Sequence, residues 1–197
     1  FDGRSRRGRS LDRPEVRFRI SSLEPMDCSP DVVELVASSP SFAPHFHLPL
    51  QHGSNRMLAA MRRPYKVEQY AALTDGIRAR LPGASIGSDV IVGFPGESDE
   101  DFEQSCEYLA CSPLTHLHVF PYSDRPGTAA SSMTGKIHGA VIRERASRVR
   151  DIGRGLTARF REAQLGTIHH ALTLEDGSLA VTGNYLKVRV PAGHARN

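Results

Sequence analysis

Residues 84–94, ASIGSDVIVGF, are the stretch that most restricts the fold. They are nearly all apolar or small, they lack a helical period, and a Phe-Pro-Gly turn closes them. A run of this kind is expected of a strand covered on both faces, which is the situation of a parallel strand flanked by helices. The next residues, ESDEDF, open a helix. Ser98 is placed to cap it, Asp101 to complete a capping box, and Asp99, Glu100 and Asp101 put negative charge at the positive end of the helix dipole.

The same alternation runs along the chain. VRFRI at 16–20 alternates apolar and basic residues and reads as a strand. Ser29-Pro30-Asp31 starts a short helix with a hydroxyl cap and a proline in the first turn. HFHLPLQHGS at 45–54 reads as a second strand and a polar turn, and NRMLAAM at 55–61 as a short helix. Val67, Tyr70, Thr74, Ile77 and Leu81 recur at helical spacing until Pro82-Gly83 ends the run. HLHVFPYS at 116–123 reads as a fourth strand. Strand and helix in strict succession predict an α/β fold with a parallel sheet and right-handed crossovers.

Beyond Gly127 the character changes. A loop leads into an arginine-rich helix over about 140–164, closed by Gly166. From there, short alternating segments with turns at 176–177 and 183–184 predict a small antiparallel β module, with a domain boundary near 166.

The net charge is only +3, but residues 1–19 and residues 143–162 each hold seven Arg against three acids. Clustered arginine suits a phosphate-bearing partner, although a basic arm and a solvated helix face give the same pattern. No stretch approaches the ~20 apolar residues of a membrane span, and no signal peptide is visible. With three cysteines in no CxxC arrangement, this predicts a cytoplasmic protein without a zinc ribbon or thioredoxin site. Cys106 and Cys111 read as small buried residues. The chain does not begin with Met, so its numbering is expected to start inside a longer protein.

Parallel α/β folds bind ligands where strands end. Those positions are Ser21, Ser22 and Glu24; Gln51, His52 and Ser54; Gly93, Phe94, Gly96 and Glu97; and Tyr122 with Ser123. Gly93 and Gly96 either admit a ligand close to the backbone or serve a tight turn. Glu97 either joins the site or favours the helix start. His45 and His47 share one strand face, as do His116 and His118. Each pair is read as barrel-lining or hydrogen-bonded rather than as a metal site, because no third ligand is evident from spacing. No G-x-S-x-G nucleophile elbow is present.

The strings RFRISSLEP, PHFHLPLQHGSNRMLAAMRRPY, SDVIVGFPGESDEDF, LHVFPYSDRPGTAA and GNYLKVRVP follow one another in the order found in radical-SAM methylthiotransferases, which the chain resembles from residue 16 onward. The resemblance implies the later half of a partial (βα) barrel over 16–165, a basic arm over 1–15, and the start of a TRAM-type RNA-binding module over 166–197. SSLEP and GNYLKVRV resemble the branch acting on N6-threonylcarbamoyladenosine in tRNA. The alternatives are the branch acting on a ribosomal protein and a non-catalytic RNA-binding remnant.

The family uses S-adenosylmethionine and 4Fe–4S clusters. One cluster generates a deoxyadenosyl radical that abstracts hydrogen from C2 of the modified adenine. The resemblance implies contacts to S-adenosylmethionine from Ser22, Glu24, Gln51, Asp89, Gly93 and Phe120, and contacts to tRNA phosphates from Arg143, Arg145, Arg148, Lys187 and Arg189. The family's CxxxCxxC loop is not in this sequence. The expectation is therefore a fragment or degenerate copy, inactive alone, with no metal ligands of its own. An exposed barrel edge is expected to promote self-association.

Overall fold

The computed structural model describes residues 16–174 and 177–191. The expected basic arm and Asp176 of the expected turn lie outside the described residues.

Three strands form a parallel sheet in sequential order: β1 (His45–His47), β2 (Ser85–Val92) and β3 (His116–Pro121). The crossovers carry α2 (Asn55–Ala60), α3 (Val67–Arg80) and α4 (Asp99–Cys111), while α1 (Pro30–Ser38) precedes the sheet. The long arginine-rich helix is α5 (Gly139–Glu162). A second, antiparallel sheet follows in the order β4 (Ala171–Leu174), β5 (Leu179–Thr182), β6 (Lys187–Arg189). Among the described residues, no helix is long and apolar enough to cross a membrane.

One face of the parallel sheet builds the core. Phe46, Ile86, Val90 and Val92 are buried there against Tyr70, Ile77, Leu109 and Leu156 from the helices. Burial of such side chains is worth roughly 1.5–3 kcal/mol each. Two tyrosines also satisfy strand carbonyls from this side: Tyr70 donates to Leu48 O at 2.7 Å, and Tyr65 to Pro49 O at 3.0 Å. Helix α5 lies along β3, with Thr157 Oγ1 donating to Thr115 O at 2.9 Å.

Local signals set the element ends. At α4 the capping box forms as expected: Asp101 N donates to Ser98 Oγ at 3.2 Å and Ser98 N to Asp101 Oδ2 at 2.9 Å. Ser29 Oγ accepts from Val32 N at the start of α1. Gly166 takes φ +76 just after α5, a conformation open to glycine.

Two expectations need correction. VRFRI does not form a strand; Phe18 makes one isolated parallel bridge to Phe42 and is 56% exposed. Its alternating pattern meets only a single partner in register, so no ladder propagates. The second strand is likewise short. After His47 only Gln51 returns to the sheet, bridging Val90 with φ +72. Pro49, which has no N–H to give a ladder, lies between them.

Candidate functional site

The opposite face of the parallel sheet is polar. The register pairs His45 with Ser85, His47 with Gly87, Gly87 with His116, Asp89 with His118 and Ile91 with Phe120. Alternate residues of a strand share a face, so four imidazoles and one carboxylate gather on one surface. A cavity of about 580 Å³ opens over it, within the range of small-molecule sites. Its floor is His45, His47, Asp89, His116, His118 and Phe120. Its walls include Arg19, Ser21, Ser22, Arg161, Tyr185 and Lys187, with Arg19 stacked on the Tyr185 ring.

Among the described residues, Asp89 is the single carboxylate lining the cavity, against Arg19, Arg161 and Lys187. It holds two imidazoles with one oxygen, at 3.0 Å from His47 Nε2 and 3.1 Å from His118 Nδ1. Burial pushes His45 down to about 4, helped by the positive field of Arg19 and by His116 and His47. Burial likewise lowers His116 to about 4, with His118 and His47 adding and Asp89 opposing. Both rings are therefore neutral near pH 7. His45 Nδ1 is buried without a hydrogen-bond partner.

The expected site residues divide. Ser22, Asp89 and Phe120 line this one cavity, as does Lys187 of the expected RNA-binding set. Ser22 takes φ +22 there. Glu24, Gln51 and Gly93 do not line it. Glu24 instead meets Arg63 at 3.2 Å. Gly93 has φ +81, and a Cβ on it would come 2.5 Å from Ile142 Cγ1, so the space its missing side chain leaves is filled by α5. Arg143 and Arg189 are exposed. Arg148 is exposed and paired with Glu103. Arg145, expected on the RNA-facing surface, is buried and paired with Glu97 and Asp99.

The residue that sequence reasoning undervalued is Glu97. It is 4% exposed and binds three elements. His52 Nε2 lies 2.8 Å from Oε1, Gly93 N donates to Oε2 at 2.8 Å, and Arg145 Nη1 donates to Oε2 at 2.6 Å. The glycine turn after β2, the loop after β1 and α5 are thus tied to one carboxylate. The third partner for the histidine pairs, which spacing did not reveal, is Asp89 on the strand between them.

Cys28 and Cys106 are buried and Cys111 is exposed, which corrects the expectation for Cys111. Burial raises the Cys28 and Cys106 thiols to about 11, against the thiolate that iron requires. Among the described residues, the cysteines join no group of converging ligands. They do not fit an iron–sulfur cluster.

Parallel strands whose polar face floors a ligand-sized cavity define an α/β protein with a candidate site on one face of its sheet. The family is more specific. Residues 4–109 match the Radical SAM superfamily, and the chain belongs to it. Threonylcarbamoyladenosine tRNA methylthiotransferase MtaB from Aquifex aeolicus (strain VF5) is 39% identical over 172 residues, covering 87% of this chain and 42% of that protein. A tRNA-2-methylthio-N(6)-dimethylallyladenosine synthase from Mycobacterium sp. (strain MCS) is 41% identical over 150 residues, 76% of this chain and 29% of that protein. The counterpart from Kineococcus radiotolerans is 39% identical over 159 residues, 81% of this chain and 31% of that protein. The chain therefore spans less than half the length of these curated relatives.

Proposed function

We propose that this chain is the cofactor-holding and tRNA-facing part of a radical-SAM tRNA methylthiotransferase, acting on N6-threonylcarbamoyladenosine. The observation that carries the reading is the 172-residue similarity to a protein of that named activity, over 87% of the chain. The SSLEP turn and the GNYLKVRV segment favour this branch over the dimethylallyladenosine one.

Ser22, Asp89 and Phe120 supply a hydroxyl, a carboxylate and an aromatic face in one cavity. That donor set fits the amine, ribose and adenine of S-adenosylmethionine. When bound, S-adenosylmethionine supplies the methyl group and the radical chemistry. The residues of this chain bind and orient it, and Glu97 fixes the turn that follows β2. Glu24 and Gln51, which do not line the cavity, are given no contact to it in this reading. No step is assigned to an iron–sulfur cluster here, because these residues do not supply one.

In the same reading the parallel sheet is the later part of the family's barrel, and the antiparallel sheet after residue 166 opens a TRAM-type module. Arg143, Arg148, Lys187 and Arg189 face tRNA phosphates, and the work is done in the cytoplasm, where tRNA is found. Self-association through an exposed barrel edge belongs to the same reading, and sedimentation across a concentration series tests it.

Deleting the gene and analysing tRNA nucleosides by mass spectrometry tests the function. Loss of the methylthio group from threonylcarbamoyladenosine, with the isopentenyl nucleoside untouched, supports the reading. Loss from the isopentenyl nucleoside alone overturns the branch, and loss from neither overturns the activity. A non-catalytic RNA-binding role is the second reading, favoured by the scattered cysteines. Equilibrium dialysis separates the two, since that role requires tRNA binding without S-adenosylmethionine binding.

A further inference from the structure

His47, Asp89 and His118 come from three adjacent strands and turn their ligand atoms toward one another. The register brings this about. Asp89 sits directly opposite His118 across β2 and β3, while His47 sits opposite Gly87, one step back on the same face. Gly87 has no side chain, and a Cβ there would lie 2.2 Å from His116 Nε2. No side chain at position 87 therefore stands between Asp89 and the imidazoles of His47 and His116.

Asp89 Oδ1 is 3.0 Å from His47 Nε2 and 3.1 Å from His118 Nδ1, and the three ligand atoms all lie within 4.8 Å of one another. Two ligands on one first-row ion, each bonded at about 2.0–2.1 Å, stand roughly 3.0–3.4 Å apart at neighbouring positions. Two of the ligand spacings are thus already those of a coordination shell, and small side-chain rotations admit an ion. The side chain of His47 is 11% exposed and that of His118 is 55% exposed, so the group is walled on one side and open on the other. Two imidazoles and a carboxylate with vacant positions suit zinc, iron or cobalt rather than magnesium or calcium.

We infer that His47, Asp89 and His118 form a mononuclear site for a zinc-class divalent ion. The site is distinct from any iron–sulfur cluster, and its open positions face the cavity. There the ion takes water or the carboxylate oxygen of a ligand, while Asp89 Oδ2 stays available to the cavity. Arg19 and Lys187 on the walls are placed to meet such a ligand carboxylate. The inference does not depend on the methylthiotransferase reading.

The test titrates the 197-residue chain with Zn²⁺ against a chromophoric chelator, and with Co²⁺ by visible absorption. The expected result is one equivalent bound, with a cobalt spectrum free of thiolate charge-transfer bands. His118→Ala and Asp89→Asn should each weaken binding by at least ~10–100-fold, the loss that follows even from outer-shell changes at metal sites. Cys111→Ser should leave it unchanged. His118 is exposed, so its variant keeps the fold, as circular dichroism will verify. No saturable binding, or binding that survives the His118→Ala/Asp89→Asn double variant, overturns the site and leaves a hydrogen-bonded His–Asp–His bridge.

Discussion

Arg145 on α5 places Nη1 2.6 Å from Glu97 Oε2, where the two side chains are 8% and 1% exposed. Removing one partner of such a pair strands the other as an uncompensated charge. Arg145→Ala is expected to cost about 3–5 kcal/mol, whereas Arg145→Met with Glu97→Gln, which removes both charges, should cost much less. Urea unfolding of the three proteins checks this, and equal midpoints for the single and double variants would refute it.

Gly93→Ala is expected to destabilise for two separable reasons. The left-handed backbone costs a residue with a Cβ about 1–2 kcal/mol. The approach to Ile142 adds an overpacking cost of roughly 1–3 kcal/mol. In an Ile142→Ala background the second cost should vanish and the first remain. A double-mutant cycle by thermal denaturation should give a clear coupling between 93 and 142, and simple additivity would contradict the packing argument.

Asp101 sets a pH dependence. Burial disfavours its charge, but hydrogen bonds from Arg56, Ser98 and Ser54 outweigh this and hold the carboxyl well below the usual range. An unfolded Asp titrates near ~3.9. Below that pH the unfolded chain binds a proton that the folded chain does not, so stability falls with pH. The advantage of the natural protein over Asp101→Asn should be full at pH 7 and shrink as pH drops below about 4. Urea midpoints measured from neutral to acid pH will show it, and a constant gap would count against the assignment.

Arg143 and Arg145 should behave differently toward tRNA, although two residues apart. Arg143 is exposed, so Arg143→Ala should lower the slope of log affinity against log salt by about 0.9, the loss of one phosphate contact. Arg145 is committed to Glu97 and Asp99, so its loss should appear in stability rather than in the slope. Filter binding over a salt series distinguishes them. An unchanged slope for Arg143→Ala would remove α5 from the interface.

What the sequence made legible was local. Strand β2 announces itself as a continuous apolar run, and the Ser98–Asp101 cap is complete within four residues. Relations across long sequence distances were not legible. Glu97 reads as a helix-start acid until Arg145, 48 residues on, is seen to reach it. Arg145 itself carried a signal, since Val149, Leu156 and Phe160 continue its stripe at helical spacing and all are buried. The arginine count around it pointed the other way. His47, Asp89 and His118 converge only once the strand register is known, because a shift of one residue would turn Asp89 to the opposite face. VRFRI had the right alternation but only one bridge, to Phe42, to extend from.

Asn184 Nδ2 donates to Gly83 O and to Gln164 Oε1, both at 2.9 Å, and Tyr185 beside it stacks on Arg19 and lies against His45. The tip of the small hairpin is therefore bolted to the foot of the parallel strands, and Lys187 belongs to both the handle and the chamber wall. Exchanging this hairpin for another would therefore reshape the chamber as well as the small sheet.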